Sequence, residues 1–198
     1  MMYKKFFWAC LCLLSTFAFT ACGDDDDDDQ PGGGGTTVQL NDNQMLMDGK
    51  VVDVHAGLGI RPAGQGWPDD PGAYYIDIFP VDETIEWHGR YDLGLPLIGK
   101  TVDLANPAKV VGKQQFSIFF QKDDRDNPFT YFSMEGSEDM NLGMVDNQQV
   151  EGSCFSSGTF VTTHDKDGFR NTFSGVLKNG KSVALKIFIP ESEIQHWG

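Results

Sequence analysis

From residue 45 onward, apolar and polar positions tend to alternate, the period of a strand with one buried face. Gln115 to Gln121 is the clearest case: Phe116, Ile118 and Phe120 fall on one face, Ser117 and Phe119 on the other. Ser182 to Ile189 sends Val183, Leu185, Ile187 and Ile189 inward. The same reading predicts strands at 45–47, 50–55, 74–79, 84–91, 100–104, 129–134, 158–164 and 170–177. Asp48-Gly49, Asp165 to Gly168 and Asn179-Gly180 sit between pairs of these runs. Asp-Gly and Asn-Gly turns adopt the positive φ that tight hairpins need. One short helical turn is expected at Pro190 to Trp197, with proline at its start.

About eight to ten short strands without intervening helices predict an all-β, antiparallel sandwich or barrel, a class that includes lipocalin-like barrels. Gly57 to Ala73 interrupts the pattern as a Gly- and Pro-rich loop. A loop of that length in a compact domain is usually functional.

The first 37 residues follow a different pattern. Lys4 and Lys5 precede an apolar run from Phe6 to Phe19, then Thr20, Ala21 and Cys22. That is the order of a secretory signal. Fourteen helical residues span about 21 Å, short of the roughly 30 Å of a bilayer core. The Phe19-Thr20-Ala21-Cys22 segment resembles the lipobox of bacterial lipoproteins, with Phe19 and Thr20 replacing the residues usual at those places. The resemblance implies removal of residues 1–21 and lipidation of Cys22. Two or more acyl chains give stable anchoring where one is marginal. Asp24 to Asp29 resembles the acidic export signals of Gram-negative surface lipoproteins. It implies an outer-membrane anchor facing the cell exterior, with the periplasmic leaflet as the alternative. Residues 22–37 then form the lipidated tether, whose stretch 24–37 reaches on the order of 45 Å when extended. Residues 38–198 form a single β domain. The part from Met45 to Ile189, opening on Met47-Asp48-Gly49 and closing on Asn179-Gly180-Lys181, resembles all-β lipoprotein domains of unassigned activity.

Charge narrows the partners. The formal net charge is −14, and removal of Lys4 and Lys5 makes it −16. Such a surface repels nucleic acid and anionic lipid, so the membrane partner must be reached through acyl chains on Cys22. Of the four cysteines, Cys10 and Cys12 leave with the signal and Cys22 takes lipid. Cys154 remains alone and is expected as a buried structural thiol.

Candidate chemistry is sparse. Gly94 to Thr101 fits the phosphate-loop pattern, but Val102 to Pro107 reads as a strand ended by proline where that loop needs a helix, so no nucleotide is expected. No G-x-S-x-G or H-E-x-x-H occurs. Glu86 and His88 would share a strand face and form the acid–base pair of a hydrolase reading, whereas Asp69 and Asp70, adjacent in a loop, rarely set the spacing of a glycosidase carboxylate pair. The chain is therefore read as non-enzymatic and without a cofactor. Asp165 and Asp167 copy part of a calcium loop, but the glutamate that would complete it is missing. Trp67, Asp69, Asp70 and Tyr74 are the ligand-binding candidates: an indole and a phenol beside carboxylates suit a sugar ring and its hydroxyls. The expectation is an anchored binding or structural module, with a glycan-binding or calcium-dependent accessory protein as the alternative and a hydrolase behind it.

Overall fold

The structure, a computed structural model, describes residues 20–21, 36–65, 69–112, 114–122, 124, 126–136 and 141–197. Cys22 and the aspartate run lie outside these residues, as does Trp67. A two-residue pair, β1 (Thr20–Ala21) with β2 (Thr36–Thr37), precedes the domain.

The rest is almost entirely strand. In chain order come β3 (Gln44–Met47), β4 (Lys50–Arg61), β5 (Ala73–Pro80), β6 (Trp87–Gly94), β7 (Thr101–Asp103), β8 (Phe116–Lys122), β9 (Thr130–Gly136) and β10 (Asn141–Val145). They are followed by β11 (Gln148–Glu151), β12 (Phe155–Asp165), β13 (Gly168–Leu177), β14 (Ser182–Pro190) and β15 (Gln195–His196). The strands form one curled, barrel-like antiparallel sheet in the order β11-β10-β9-β8-β6-β5-β4-β3-β14-β13-β12-β7. The chain meanders from β3 to β11 except for β7, which leaves to pair with β12; it then crosses to β12 and returns through β14 to pair with β3. The two ends of this path approach one another. The Ser153 hydroxyl, just after β11, donates to the Leu104 carbonyl just after β7 at 2.5 Å. Asn179 Nδ2 at the β13–β14 turn donates to Asp146 at the β10–β11 turn at 2.8 Å.

The all-β expectation holds, and the hairpins explain why it was readable. At the β3–β4 turn Asp48 and Gly49 adopt φ of 49° and 71°, the left-handed pair that a two-residue hairpin requires. Asp146 and Asn147 make the same turn between β10 and β11, with φ of 49° and 63°.

The structure moves several expected boundaries. β4 runs on through Gly57 and Gly59 to Arg61, so residues 57–61 of the expected loop are strand. β6 begins at Trp87 rather than Thr84, because Asp82 accepts both the Thr84 amide, at 2.9 Å, and its hydroxyl, at 2.7 Å, closing a turn. The helical turn expected at the C-terminus is a three-residue 3-10 turn, Glu191–Glu193, followed by strand β15. A short α-turn at Ala108–Val111 was not anticipated. No helix of the described residues is long and apolar enough to cross a membrane.

The interior is filled with rings. Tyr91, Phe116, Phe120, Phe132, Phe155, Phe160, Phe169 and Phe173 are all fully buried. Phe173 has Tyr91, Phe120, Phe132, Phe155 and Phe160 around it, with centroids 6.0 to 6.5 Å away. Gly89 admits one of them: a Cβ there would lie 2.3 Å from the Phe120 ring. Rings in mutual contact fill the interior around Phe173, with the close packing of a protein core.

Candidate functional site

With the inside occupied, the outward faces of the strands hold the remaining chemistry. On β5 the period of two buries Tyr74, Ile76 and Ile78 and turns Tyr75, Asp77 and Phe79 outward. Sheet register carries this face across the neighbouring strands. One row runs Tyr75, Asp92, Ser117, Glu135, Leu142. The next runs Asp77, Arg90, Phe119, Ser133, Met144.

The first row, with Phe119, Ser133 and Met144 of the second, lines an open groove of about 730 Å³ that crosses β5, β6, β8, β9 and β10, and Gln114 and Gln115 also stand in its wall. Its polar groups are held in place. Asp92 accepts from Arg90 Nε at 3.0 Å and from the Ser117 hydroxyl at 3.3 Å. The Gln114 side-chain carbonyl oxygen is buried and has no hydrogen-bond partner. A buried acceptor left in this state costs about 1–3 kcal/mol.

Beside the groove is an aromatic border. His55 stacks on Phe79 at 5.4 Å, Phe79 on His88 at 6.1 Å, and His88 stands edge-on to Phe119 at 5.9 Å. Further along, β15 pairs in parallel with β4 and lays Trp197 on Tyr75 at 5.3 Å. Gly59 makes room for that indole, since a Cβ there would lie 2.5 Å from it.

The sequence-derived candidates sit elsewhere. Asp70 is buried; its carboxylate pairs with Arg61 and accepts the Gly72 amide at 3.0 Å. Arg61 also donates to the Tyr75 hydroxyl at 3.0 Å, which ties this loop to the outer face. Asp69 is exposed, with a positive φ of 67°. Tyr74 points into the barrel end. Its hydroxyl meets His164 Nδ1 at 2.7 Å, and His164 Nε2 meets Glu191 at 2.7 Å. Burial, then the Glu191 carboxylate, push the Tyr74 phenol above its ordinary value. This chain of hydrogen bonds joins β5, β12 and the turn after β14, and its position favours a structural tie.

Glu86 and His88 are not partners: Glu86 pairs with Lys122 at 3.1 Å, and His88 Nε2 meets Gln121 at 3.2 Å. Asp165 accepts the Asp167 amide at 2.9 Å and faces Arg170 at 3.5 Å, the bonding of a hairpin turn. Among the described residues, no three or more His, Cys, Asp or Glu side chains gather as a metal site. The Gly94 to Thr101 stretch is a 3-10 turn at Leu95–Leu97 leading into β7. Cys154 is fully buried, and burial pushes its thiol up to about 12.

The groove-lining residues leave little mark in the sequence because they come from five strands whose adjacency depends on sheet order. One signal was present: Phe119 is the large apolar residue on the otherwise polar face of β8. Compared with known proteins, the chain is matched by no family model, no curated protein and no solved structure.

Proposed function

We propose that this protein is a lipid-anchored, non-catalytic binding module of the outer-membrane surface that carries its ligand on the outside of its barrel. The observation that carries the reading is the contrast between a ring-filled interior and an open, polar-and-aromatic groove on the outer face. Ligand sites are usually concave, with apolar walls and a few fixed polar groups, and the groove has that composition. The separate engagements of Glu86 and His88 favour binding over hydrolysis. Cys22 and the acidic tether supply the anchor and the reach in this account, and the domain's negative charge keeps it off anionic lipid.

Protease added to intact cells tests the display. The full chain is expected to be digested while periplasmic markers survive. A chain left whole until the outer membrane is broken would place it on the inner leaflet and overturn the surface reading.

A further inference from the structure

Taking the outer face as the binding surface, we propose that the groove is a subsite array for a neutral oligosaccharide, with a pyranose ring on Phe119 and its hydroxyls on Asp92, Glu135 and Gln114. This rests on the reading above and adds the ligand's chemistry.

The polar groups ask for donors. Asp92 and Glu135 are carboxylates, and the buried side-chain carbonyl oxygen of Gln114, in the groove wall, has no hydrogen-bond partner. Sugar hydroxyls donate to such groups, and carboxylate acceptors make the stronger, charge-assisted bonds. Beside the Asp92–Ser117–Glu135 row, one row further along the strands, lie Phe119 and Met144, apolar surface that matches the C–H face of a pyranose. Phe119 is held edge-on by His88, so its orientation is set before a ligand arrives.

Charge selects among sugars. Arg90 pairs with Asp92, so Glu135 and the net charge of −14 on the chain are what oppose uronic acids, sulfated sugars and phosphates. Backbone geometry argues against an extended peptide. The groove runs across five strands, and the interior ones have their N–H and C=O groups committed to neighbours on both sides. A peptide laid there finds no open edge to pair with, which is the usual source of its affinity. Four inter-strand steps at about 4.8 Å give about 19 Å of length, room for several rings in a row.

The test is gel retardation of the full-length chain in detergent, in gels containing neutral glucans, mannans and xylans and, separately, polygalacturonate. At least one neutral polysaccharide should retard the wild-type chain, and polygalacturonate should not. Phe119→Ala should weaken that retardation about tenfold, the loss of one stacked ring. Glu135→Gln should weaken it less, and Gln114→Leu should weaken it as well. All three should melt within a few degrees of wild type, which separates lost binding from lost folding. Retardation by no neutral polysaccharide, or by polygalacturonate alone, overturns the proposal. Binding of a lysine-rich peptide that Phe119→Ala and Glu135→Gln both remove would keep the groove as the site and reject the sugar. Neutral-sugar binding untouched by all three substitutions would reject the groove itself.

Discussion

Phe173→Ala is expected to lower the stability of the chain by about 3–5 kcal/mol, the range for deleting a buried phenylalanine. Its ring is 1% exposed, and five other rings surround it within 6.5 Å. Those rings come from β6, β8, β9 and β12, so they hold different parts of the sheet apart. None can swing into the vacancy without leaving its own rotamer, so the cavity should persist, and persistent cavities give the larger losses. Equilibrium urea unfolding reads the effect as a drop in midpoint at constant slope. Phe119→Ala, on the outer face of β8, is the matched control and should cost far less. Equal losses at the two positions would mean that the interior is not packed as described.

Alkaline conditions should weaken the fold steeply between pH 9 and about 12. Burial raises the Cys154 thiol from an ordinary 9.0 to about 12. Burial likewise raises the Tyr91 phenol well above 10.0, and burial followed by Glu191 raises Tyr74. In the unfolded chain these groups lose protons from their ordinary values upward, while the folded chain still holds them. The unfolded state then binds fewer protons, so stability falls as pH rises. The contribution is intact below pH 9. For Cys154 alone, three pH units at about 1.4 kcal/mol each amount to about 4 kcal/mol. Urea midpoints at pH 8 and pH 11 measure it, with Tyr91→Phe as a second variant. That change removes a buried hydroxyl that has no partner, so it should leave neutral-pH stability unchanged or higher by about 1 kcal/mol while flattening the alkaline fall. A profile that stays level through pH 11 would contradict the burial of these groups.

The fold was legible where local chemistry decides it. The Asp48-Gly49 turn and the alternation of Phe116, Ile118 and Phe120 fix a hairpin and an inward face with no knowledge of neighbours. Reading failed where tertiary pairing decides. Gly57 and Gly59 look like loop residues, yet β4 keeps strand geometry through both because β5 pairs with it along that length. The C-terminus failed for a related reason. β3 covers only Lys50 to Asp53 of β4, leaving the edge near Gly59 and Ile60 open, and Gln195 and His196 fill it. A helix of so few residues has too little cooperativity to compete with that edge. The candidate site shows the same division. Tyr74 was legible as aromatic and Asp70 as acidic, but strand parity buries the first and Arg61 engages the second. Asp92, Ser117 and Glu135 come together only through the order β6-β8-β9.

Methionine methyl groups on both sides of the sheet distinguish a ligand bound on the outer face from one bound inside. Met144 lines the groove, whereas Met45 and Met47 are buried and take no part in its wall. In methyl-labelled full-length chain, titration with a hexasaccharide of the neutral polysaccharide that retards it should shift the Met144 signal and leave Met45 and Met47 in place. Shifts at Met45 and Met47 with Met144 unmoved would put the ligand inside the barrel and contradict the account.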